Sequence, residues 1–426
     1  MKKTLITLAA LSFGIVFAWS QADIFIGLTS YLKPQNKLKI VINKFALLNK
    51  DDETEKVIAE NLQSTIRADL MYCRYFDVEE QDAPQVDFKA LKKQDANYVV
   101  EGRVAYAQDE KRWMIRVKVS DVKSGKKIVE KYYKGKKNSV KRGAHVFSDY
   151  VVWKLTGKKG IARTRIAFAN NSTKKKEIYV CDYDGENLIR LTNDKSIALL
   201  PKWSPDGNKL YYTTYKRRNP DLYEINLVNK TVNPVSVLRG INLPGGFSPD
   251  GKSMVLTHSH GRDPNIYLMN METKKLTRLT HRRSVESSAG YSPDGRFVTF
   301  ISDRSGNPQI HIMELATGKI QRLTRLNWCD SPKWSPTGEW ITFSGRISSK
   351  DNLDIYLVDI TGFRIRRLTR NAGSNEDPSW SPDGRFIAFT STRNGKREIF
   401  VMDSDGSAPH LVGKLPGNSF TPSWSP

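Results

Sequence analysis

Cysteine is scarce in this sequence. Cys73, Cys181 and Cys329 are the only three among 426 residues, so they cannot all pair with one another and cannot form a disulfide framework. We expect them to be small buried hydrophobic residues. Hydrophobic residues make up 39% of the chain and charged residues 27%, which excludes a disordered tail and a membrane-embedded helix bundle.

Long apolar runs are also missing, except at the start. Leu5–Trp19 is apolar, follows the basic Met1-Lys2-Lys3 and precedes the small residues of Ser20-Gln21-Ala22. This pattern predicts a secretory signal peptide over residues 1–22, a mature chain from Asp23 and a location outside the cytoplasm. The alternative is an uncleaved anchor, although the run is shorter than the roughly 20 residues of a membrane span. No cysteine follows the signal, so we expect no lipid anchor.

Motifs of catalysis are absent as well. The sequence has no Gly-x-Ser-x-Gly, His-Glu-x-x-His, phosphate loop or Gly-x-Gly-x-x-Gly, so we expect no catalytic site and no cofactor. Asp182–Gly185 and Asp403–Gly406 resemble calcium loops but lack the remaining ligands, which predicts hairpin turns. His258 and His260 have no third ligand nearby, so we expect no metal site.

Negative charge is outweighed: 68 Lys and Arg face 45 Asp and Glu, a net charge of +23. The segment 111–142 holds thirteen basic residues against two acids, and it reads either as a solvated sheet face or as a contact with anionic envelope material. Nucleic acid is excluded as a partner, because the signal peptide exports the chain and no recognition motif is present.

What the sequence does contain is a repeat. An aromatic residue followed by Ser-Pro recurs at Trp203, Phe247, Tyr291, Trp334, Trp380 and Trp424. The intervals are 44, 44, 43, 46 and 44 residues, and the first five copies continue as Asp-Gly or, once, Thr-Gly. Pro, Asp and Gly are turn formers, and the strand-like segments between the turns give four short strands per unit. Four short strands in each repeat unit are typical of a β-propeller blade.

The ends of the repeat predict how the propeller closes. The first blade begins at Arg165 without an aromatic-led strand before it, and the last copy at Trp424 has no strands after it. Both deficits vanish if the C-terminal strand completes the first blade, which also removes the exposed strand edges of an open array. The sequence therefore predicts six blades over residues 161–426.

Residues 23–160 lack the repeat. Alternating apolar residues predict strands at 38–42, 98–104, 113–119 and 128–133, and apolar spacing predicts helices at 51–71 and 139–155. The predicted fold class is an α/β N-terminal domain followed by an all-β six-bladed β-propeller closed by the C-terminal strand.

The order of these parts resembles the TolB family, periplasmic proteins of the bacterial Tol–Pal system. The strings that carry the resemblance are His145-x-x-Ser148-Asp149, Lys154–Gly157, Arg163–Phe168, Cys181–Gly185 and Pro422–Pro426. The resemblance as a whole covers nearly all of the predicted mature chain. The junction 154–168 is the most discriminating part, because propeller repeats alone are shared with many unrelated proteins.

The resemblance implies a monomeric, non-enzymatic adaptor that acts in outer-membrane maintenance and cell division. It implies two partners: the inner-membrane protein TolA, bound by the mature N-terminal segment, and the lipoprotein Pal, bound by one propeller face. The segment that matches is Asp23, Ile24, Phe25, Ile26, Gly27 and Leu28. Its alternation suits a peptide that adds a strand to a partner's sheet, or equally an edge strand of its own domain.

Propeller geometry points to the mouth of the central channel as the second partner site. The loops that enter the innermost strands carry Glu286, Asp330, Glu376 and Asp377. The loops between second and third strands open on the same side and are basic, with Arg262, Arg304 and Arg346 among them. An acidic inner rim with a basic outer collar would orient a partner of complementary charge. The alternative is a set of solvated loops and cap-forming acids.

Two other functions remain open at this point. One is a secreted propeller enzyme that acts on a sugar or lactone, which would need a convergent site in the channel. The other is a binding module for other envelope components without Tol partners.

Overall fold

The computed structural model describes residues 37–83, 85–259, 263–413 and 416–426. It confirms the predicted fold class, with one mixed sheet and its helices followed by six four-stranded sheets. The predicted signal peptide and the segment Asp23–Leu28 lie outside the described residues. No helix within the described ranges has both the length and the apolar character of a membrane span.

The N-terminal part is a sheet in the order β3-β1-β4-β5-β6, with a short strand β2 paired to β4. Its elements are β1 Leu38–Asn43, β2 Ala46–Leu47, α1 Glu53–Tyr72, β3 Phe76–Gln81, α2 Phe88–Lys93, β4 Tyr98–Ala107, β5 Arg112–Asp121, β6 Lys127–Lys136 and α3 Val140–Thr156. The strands β3, β1 and β4 are parallel to one another, whereas β4, β5 and β6 are antiparallel. Helices α1 and α3 cover one face of the sheet, and α2 packs on the other.

The ends of the two long helices follow from local chemistry. The side chain of Asp52 accepts hydrogen bonds from the backbone N–H groups of Thr54 and Glu55 and so caps α1. Gly157 ends α3 with a φ of 70°, a left-handed conformation that favours glycine. The buried stripe of α1 contains Ile58, Leu62, Ile66 and Leu70 at helical spacing.

Strand β5 shows where the basic segment 111–142 lies. Trp113, Ile115, Val117 and Val119 point into the core, and the residues between them face outward. The outward residues include Arg116, whose guanidinium pairs with Glu130 of β6 at 2.5 Å. The basic side chains of this strand therefore lie on a solvated sheet face, as one of the two interpretations predicted.

The propeller consists of six blades, numbered here in ring order. Blade 1 contains β30 Ser419–Trp424, β7 Arg165–Asn170, β8 Glu177–Asp182 and β9 Ile189–Arg190; blade 2 β10 Ala198–Trp203, β11 Lys209–Thr214, β12 Asp221–Asn226 and β13 Val232–Ser236; blade 3 β14 Asn242–Phe247, β15 Ser253–His258, β16 Asn265–Asn270 and β17 Leu276–Arg278. Blade 4 contains β18 Glu286–Tyr291, β19 Phe297–Ser302, β20 Gln309–Glu314 and β21 Ile320–Arg322; blade 5 β22 Trp328–Trp334, β23 Trp340–Arg346, β24 Asp354–Asp359 and β25 Ile365–Arg367; blade 6 β26 Asn375–Trp380, β27 Phe386–Ser391, β28 Glu398–Asp403 and β29 His410–Leu411.

The ring closes as predicted. Strand β30 pairs with β7 in antiparallel register, with Ser419 opposite Asn170 and Trp424 opposite Ile166. The indole N–H of Trp424 donates to the hydroxyl of Thr164 at 2.8 Å. The last residues of the chain therefore form the innermost strand of the blade that begins at Arg165.

The Ser-Pro-Asp-Gly motif closes a turn in four blades with the same bonds. In blade 6, the Ser381 hydroxyl donates to Asp383 at 2.5 Å and accepts the Phe386 N–H at 3.0 Å, while Asp383 accepts the Arg385 N–H at 3.1 Å. The same bonds recur in blades 2, 3 and 4. These turns share one face of the propeller, which we call the turn face. The opposite face, where loops enter the innermost strands, we call the loop face.

A polar contact joins the N-terminal domain to the propeller. Asp69 of α1 lies 3.0 Å from the imidazole Nδ1 of His145 and accepts the hydroxyl of Tyr183, on the blade 1 hairpin, at 2.6 Å. Burial lowers the pKa of His145, but the hydrogen bond and charge of Asp69 outweigh it, and the net pKa is raised. These bonds tie α1 and α3 to the first blade.

Asp149 of α3 holds the connector between the two parts. Its carboxylate accepts the backbone N–H of Ala162 at 2.8 Å and the side chain of Arg163 at 2.8 Å. A Cβ at Gly160 would lie 2.2 Å from this carboxylate, so only glycine fits there. The residues around the junction that carry the family resemblance therefore fix the conformation of the connector.

Candidate functional site

The candidate site is the loop-face end of the central channel. The innermost strands β30, β10, β14, β18, β22 and β26 surround the channel, and neighbouring blades pack in the order 1 to 6 and back to 1. Each of these strands shifts register against its second strand near its middle, which marks a β-bulge. Residues at these bulges line a narrow part of the channel, a cavity of about 50 Å³.

The bulges place unusual backbone at the channel wall. Five of the six blades have a non-glycine residue with positive φ at the equivalent position, between 50° and 56°: Leu200, Ser288, Ser331, Asp377 and Thr421. All five line the narrow cavity. Left-handed backbone is costly for these residue types, so its recurrence shows that the ring geometry imposes it.

The acids of the innermost strands occupy half of the ring. The innermost strands of blades 4, 5 and 6 contain Glu286, Asp330, Glu376 and Asp377, and those of blades 1, 2 and 3 contain no Asp or Glu. The channel mouth is therefore electrostatically asymmetric, although the blades are similar in structure.

Glu286 forms an ion pair with Arg304, the residue predicted for the collar. The guanidinium of Arg304, on the loop after β19, contacts a carboxylate that is completely buried. Ser284 and Ser302 donate to the same carboxylate oxygen, each at 3.2 Å. Glu286 has no exposed surface, so it fixes the position of Arg304 through the ion pair and does not itself face solvent.

Glu376 is arranged in the same way but lies nearer the surface. It accepts hydrogen bonds from Ser374 at 2.7 Å and from Arg397 at 2.9 Å, and 22% of its side chain is exposed. In blade 5, Arg346 lies over the ring of Trp328, 5.6 Å from its centroid, and its Nε bonds Asn327 at 3.3 Å. Arg304, Arg346 and Arg397 of the basic collar are thus each held by a contact with a residue on or just before an innermost strand.

Asp377 lines the narrow cavity of the channel, and Asp330 of the neighbouring blade lies close to it. Ser331 links them, because its backbone N–H donates to Asp330 at 2.5 Å and its hydroxyl donates to Asp377 at 2.9 Å. Burial and the neighbouring charge of Asp377 raise the pKa of Asp330 to about 6. Burial and the charge of Glu376 raise the pKa of Asp377 as well.

The structure thus brings together Glu286 with Arg304, and Asp330 with Asp377. Arg346 lies on the same face in blade 5, while Arg262 and the segment Asp23–Leu28 lie outside the described residues. The channel holds two further charges that the sequence analysis missed, Lys202 and Lys333. Their signal was available, because each directly precedes the aromatic residue of its repeat.

The cysteines, the two acidic motifs and His258 have local structural roles. The three cysteines are free and buried. The backbone N–H of Gly185 donates to Asp182 and that of Gly406 to Asp403, so both acidic motifs form hairpin turns as predicted. His258 is buried and bonds the carbonyl of Ile241, and His260 lies outside the described residues. Within the described ranges, no group of three or more His, Cys, Asp or Glu has the arrangement of a metal site.

Comparisons with known proteins agree with this architecture. The family model described as the TolB amino-terminal domain matches residues 33–128, and the model described as the TolB β-propeller domain matches residues 152–346 and 326–426. The crystal structure of TolB from Acinetobacter baumannii superposes with a TM-score of 0.78 at 25% identity, over 92% of this chain and 98% of that one.

Curated relatives carry the same family name. The Tol-Pal system protein TolB of Desulfosudis oleivorans is 32% identical over 50% of this chain, and the TolB homolog of Chlorobaculum tepidum is 42% identical over 24%. The chain spans about half of the first relative's length, 51%, and 24% of the second's. Because the two family models together account for most of the described residues, the chain belongs to the TolB family, whose curated members are named as proteins of the Tol–Pal system.

Proposed function

We propose that the chain is a periplasmic adaptor of the Tol–Pal system. In this proposal the loop face of the propeller binds a Pal-type lipoprotein, and the segment Asp23–Leu28 binds a TolA-type inner-membrane protein. The adaptor couples the two during outer-membrane maintenance and cell division, as a monomer and without catalysing a reaction. Family membership supports the system, and the charged half of the channel mouth supports the docking face.

The observation that carries the proposal is the asymmetry of the loop face. A symmetric ring offers six equivalent ways to seat a partner, and acids on the innermost strands of blades 4, 5 and 6 alone reduce that number. Glu376 and Arg397 form an ion pair that is partly exposed. Each can therefore replace this bond with one to a charged group of the partner at little cost in desolvation. Charges arranged in this way favour orientation and fast association.

The test is the affinity of the purified protein for the soluble domain of the Pal-type lipoprotein from the same organism. Glu376→Gln with Asp377→Asn keeps the shapes, and asparagine tolerates the φ of 54° at residue 377. We expect the dissociation constant to rise about tenfold or more. The matched control is Asp250→Asn with Asp294→Asn, which removes two charges from the turn face and should leave the affinity unchanged. Equal losses from both pairs would reject the loop face as the docking site.

The N-terminal part of the proposal has its own test. Deleting residues 23–28 from the mature chain should abolish binding of the TolA-type partner and leave both the folded propeller and Pal binding intact. Retained TolA binding would assign that contact to another surface.

A further inference from the structure

The turn-face end of the channel forms a second cavity of about 360 Å³, which meets the narrow cavity at Lys202, Ala289 and Lys333. The residue before the repeat's aromatic position lines it in every blade: Lys202, Gly246, Gly290, Lys333, Ser379 and Ser423. We call this cavity the turn-face cup. Its volume is in the lower range of small-ligand pockets, which is roughly 300–1,000 Å³.

The two lysines of the cup face each other. They stand in blades 2 and 5, which are opposite across a ring of six. The two amino groups are close enough to interact with each other directly. Among the described residues, neither lysine forms an ion pair with a carboxylate, although the charge of Asp377 reaches both and that of Asp330 reaches Lys333.

The nearby acids are engaged elsewhere. Asp377 and Asp330 lie further along the channel and accept hydrogen bonds from Ser331. Asp206 and its equivalents accept from the serine of their own turn. Burial lowers the pKa of both lysines, and the charge of Lys333 lowers the pKa of Lys202 further, whereas the hydrogen bond with Lys202 and the charges of Asp377 and Asp330 partly offset burial at Lys333.

The walls of the cup are apolar. The aromatic residue of each repeat lines the cavity, as does the proline that follows it by two positions, so every blade contributes two rings to the lining, beside serines. An inorganic anion would satisfy the lysines but leave these walls unfilled. A carboxylate attached to an apolar body would satisfy both.

We propose that the turn-face cup binds a small organic carboxylate, with Lys202 and Lys333 holding the carboxylate and the aromatic and proline walls holding the apolar body. The site lies on the face opposite to the proposed docking surface and does not depend on the proposed function.

The test is a titration of the purified protein with cyclohexanecarboxylate, followed by tryptophan emission, since four tryptophans line the cup. We expect a saturable change, and no saturable change with the neutral cyclohexylmethanol. Lys202→Met and Lys333→Met should each weaken binding about tenfold or more. Methionine keeps the length of the side chain and relieves the repulsion, so both variants should fold, which circular dichroism verifies.

The matched control is Lys252→Met, an exposed lysine in a turn of the same face. It should bind the carboxylate as the unaltered protein does. Either of two results would overturn the proposal: no saturable response to cyclohexanecarboxylate, or equal binding by both channel variants. A response to inorganic phosphate as strong as that to the organic acid would overturn the role of the apolar walls.

Discussion

The turn face and the loop face of the propeller are formed by the same six sheets but differ in how their polar residues are used. On the turn face, Ser and Asp repeat from blade to blade and form the same bonds within each turn. On the loop face, Glu286 lies one position earlier in its blade than Asp330 and Glu376 do in theirs, and the three bond different neighbours. Repetition marks what the fold requires, and departure from it marks what one blade does alone.

This comparison predicts that changes on the turn side affect stability, whereas changes among the surface charges of the loop face affect partner binding. Four substitutions test which residues stabilise the fold, and they are given from the largest expected effect to the smallest.

Trp424→Ala should have the largest effect, because Trp424 closes the ring. Its indole N–H bonds Thr164, and its ring stacks against Phe386 with centroids 6.4 Å apart. We expect a loss of about 3–5 kcal/mol in the free energy of unfolding, measured with urea. Trp153→Ala is the control, since that side chain is 54% exposed, and should cost less than about 1 kcal/mol. Similar losses from both would contradict closure by β30.

Glu286→Gln should destabilise the loop face itself. The substitution leaves Arg304 beside a neutral amide, and Arg304 is itself only 14% exposed. Removing one partner of a buried ion pair costs about 3–5 kcal/mol, and the retained amide oxygen should reduce the loss to roughly 2–4 kcal/mol. The measurement is again urea unfolding, with the exposed Glu272→Gln as control. A variant as stable as the control would mean that Glu286 is not structural.

Ser381→Ala removes one turn-face bond set. The Phe386 N–H loses its acceptor and Asp383 loses a donor, which should cost about 1–2 kcal/mol of stability. The affinity for the Pal-type domain should not change, and both quantities can be measured on the same preparation. A fall in affinity without a fall in stability would place the partner on the turn face.

Asp330→Asn should stabilise the protein, by about 1 kcal/mol at pH 7. The folded state raises the pKa of Asp330 from 3.8 to about 6, so folding favours the protonated form. The native state is therefore penalised increasingly as pH rises from 3.8 to about 6 and fully above 6, and the gain from asparagine should disappear when pH falls below 3.8. Unfolding measured across this range checks the sign. Destabilisation at pH 7 would show that the Asp330 charge is needed for folding.

Much of the architecture was accessible from the sequence because the repeat supplies six copies of the same evidence. The spacing of the aromatic residues predicted the blades, and the unmatched strands at Arg165 and Trp424 predicted the closure that the pairing of β30 with β7 confirms. In the N-terminal domain each element occurs once. Strand β3, Phe76–Gln81, was missed because it is a polar edge strand whose pairing with β1 depends on tertiary contacts.

The candidate site was less accessible, because side-chain pairing across loops has no periodic signal. The sequence placed Glu286 and Arg304 on one face, but it could not show that they form a buried pair. Lys202 and Lys333 occupy the same position in their repeats, but the sequence could not show that their side chains meet, which happens because six blades place the second opposite the fifth. Whether the residues of the loop face bind a partner stays a prediction.

The most direct test of the account is amide hydrogen exchange of the full mature protein with and without the soluble Pal-type domain. We predict slower exchange on binding in the loop-face segments 281–286, 303–308, 325–330, 346–353 and 370–377, which belong to blades 4, 5 and 6. The turns at 204–208, 248–252 and 292–296 should exchange at unchanged rates. Protection of the turns, or no protection in blades 4 to 6 on binding, would contradict docking at the charged half of the channel mouth.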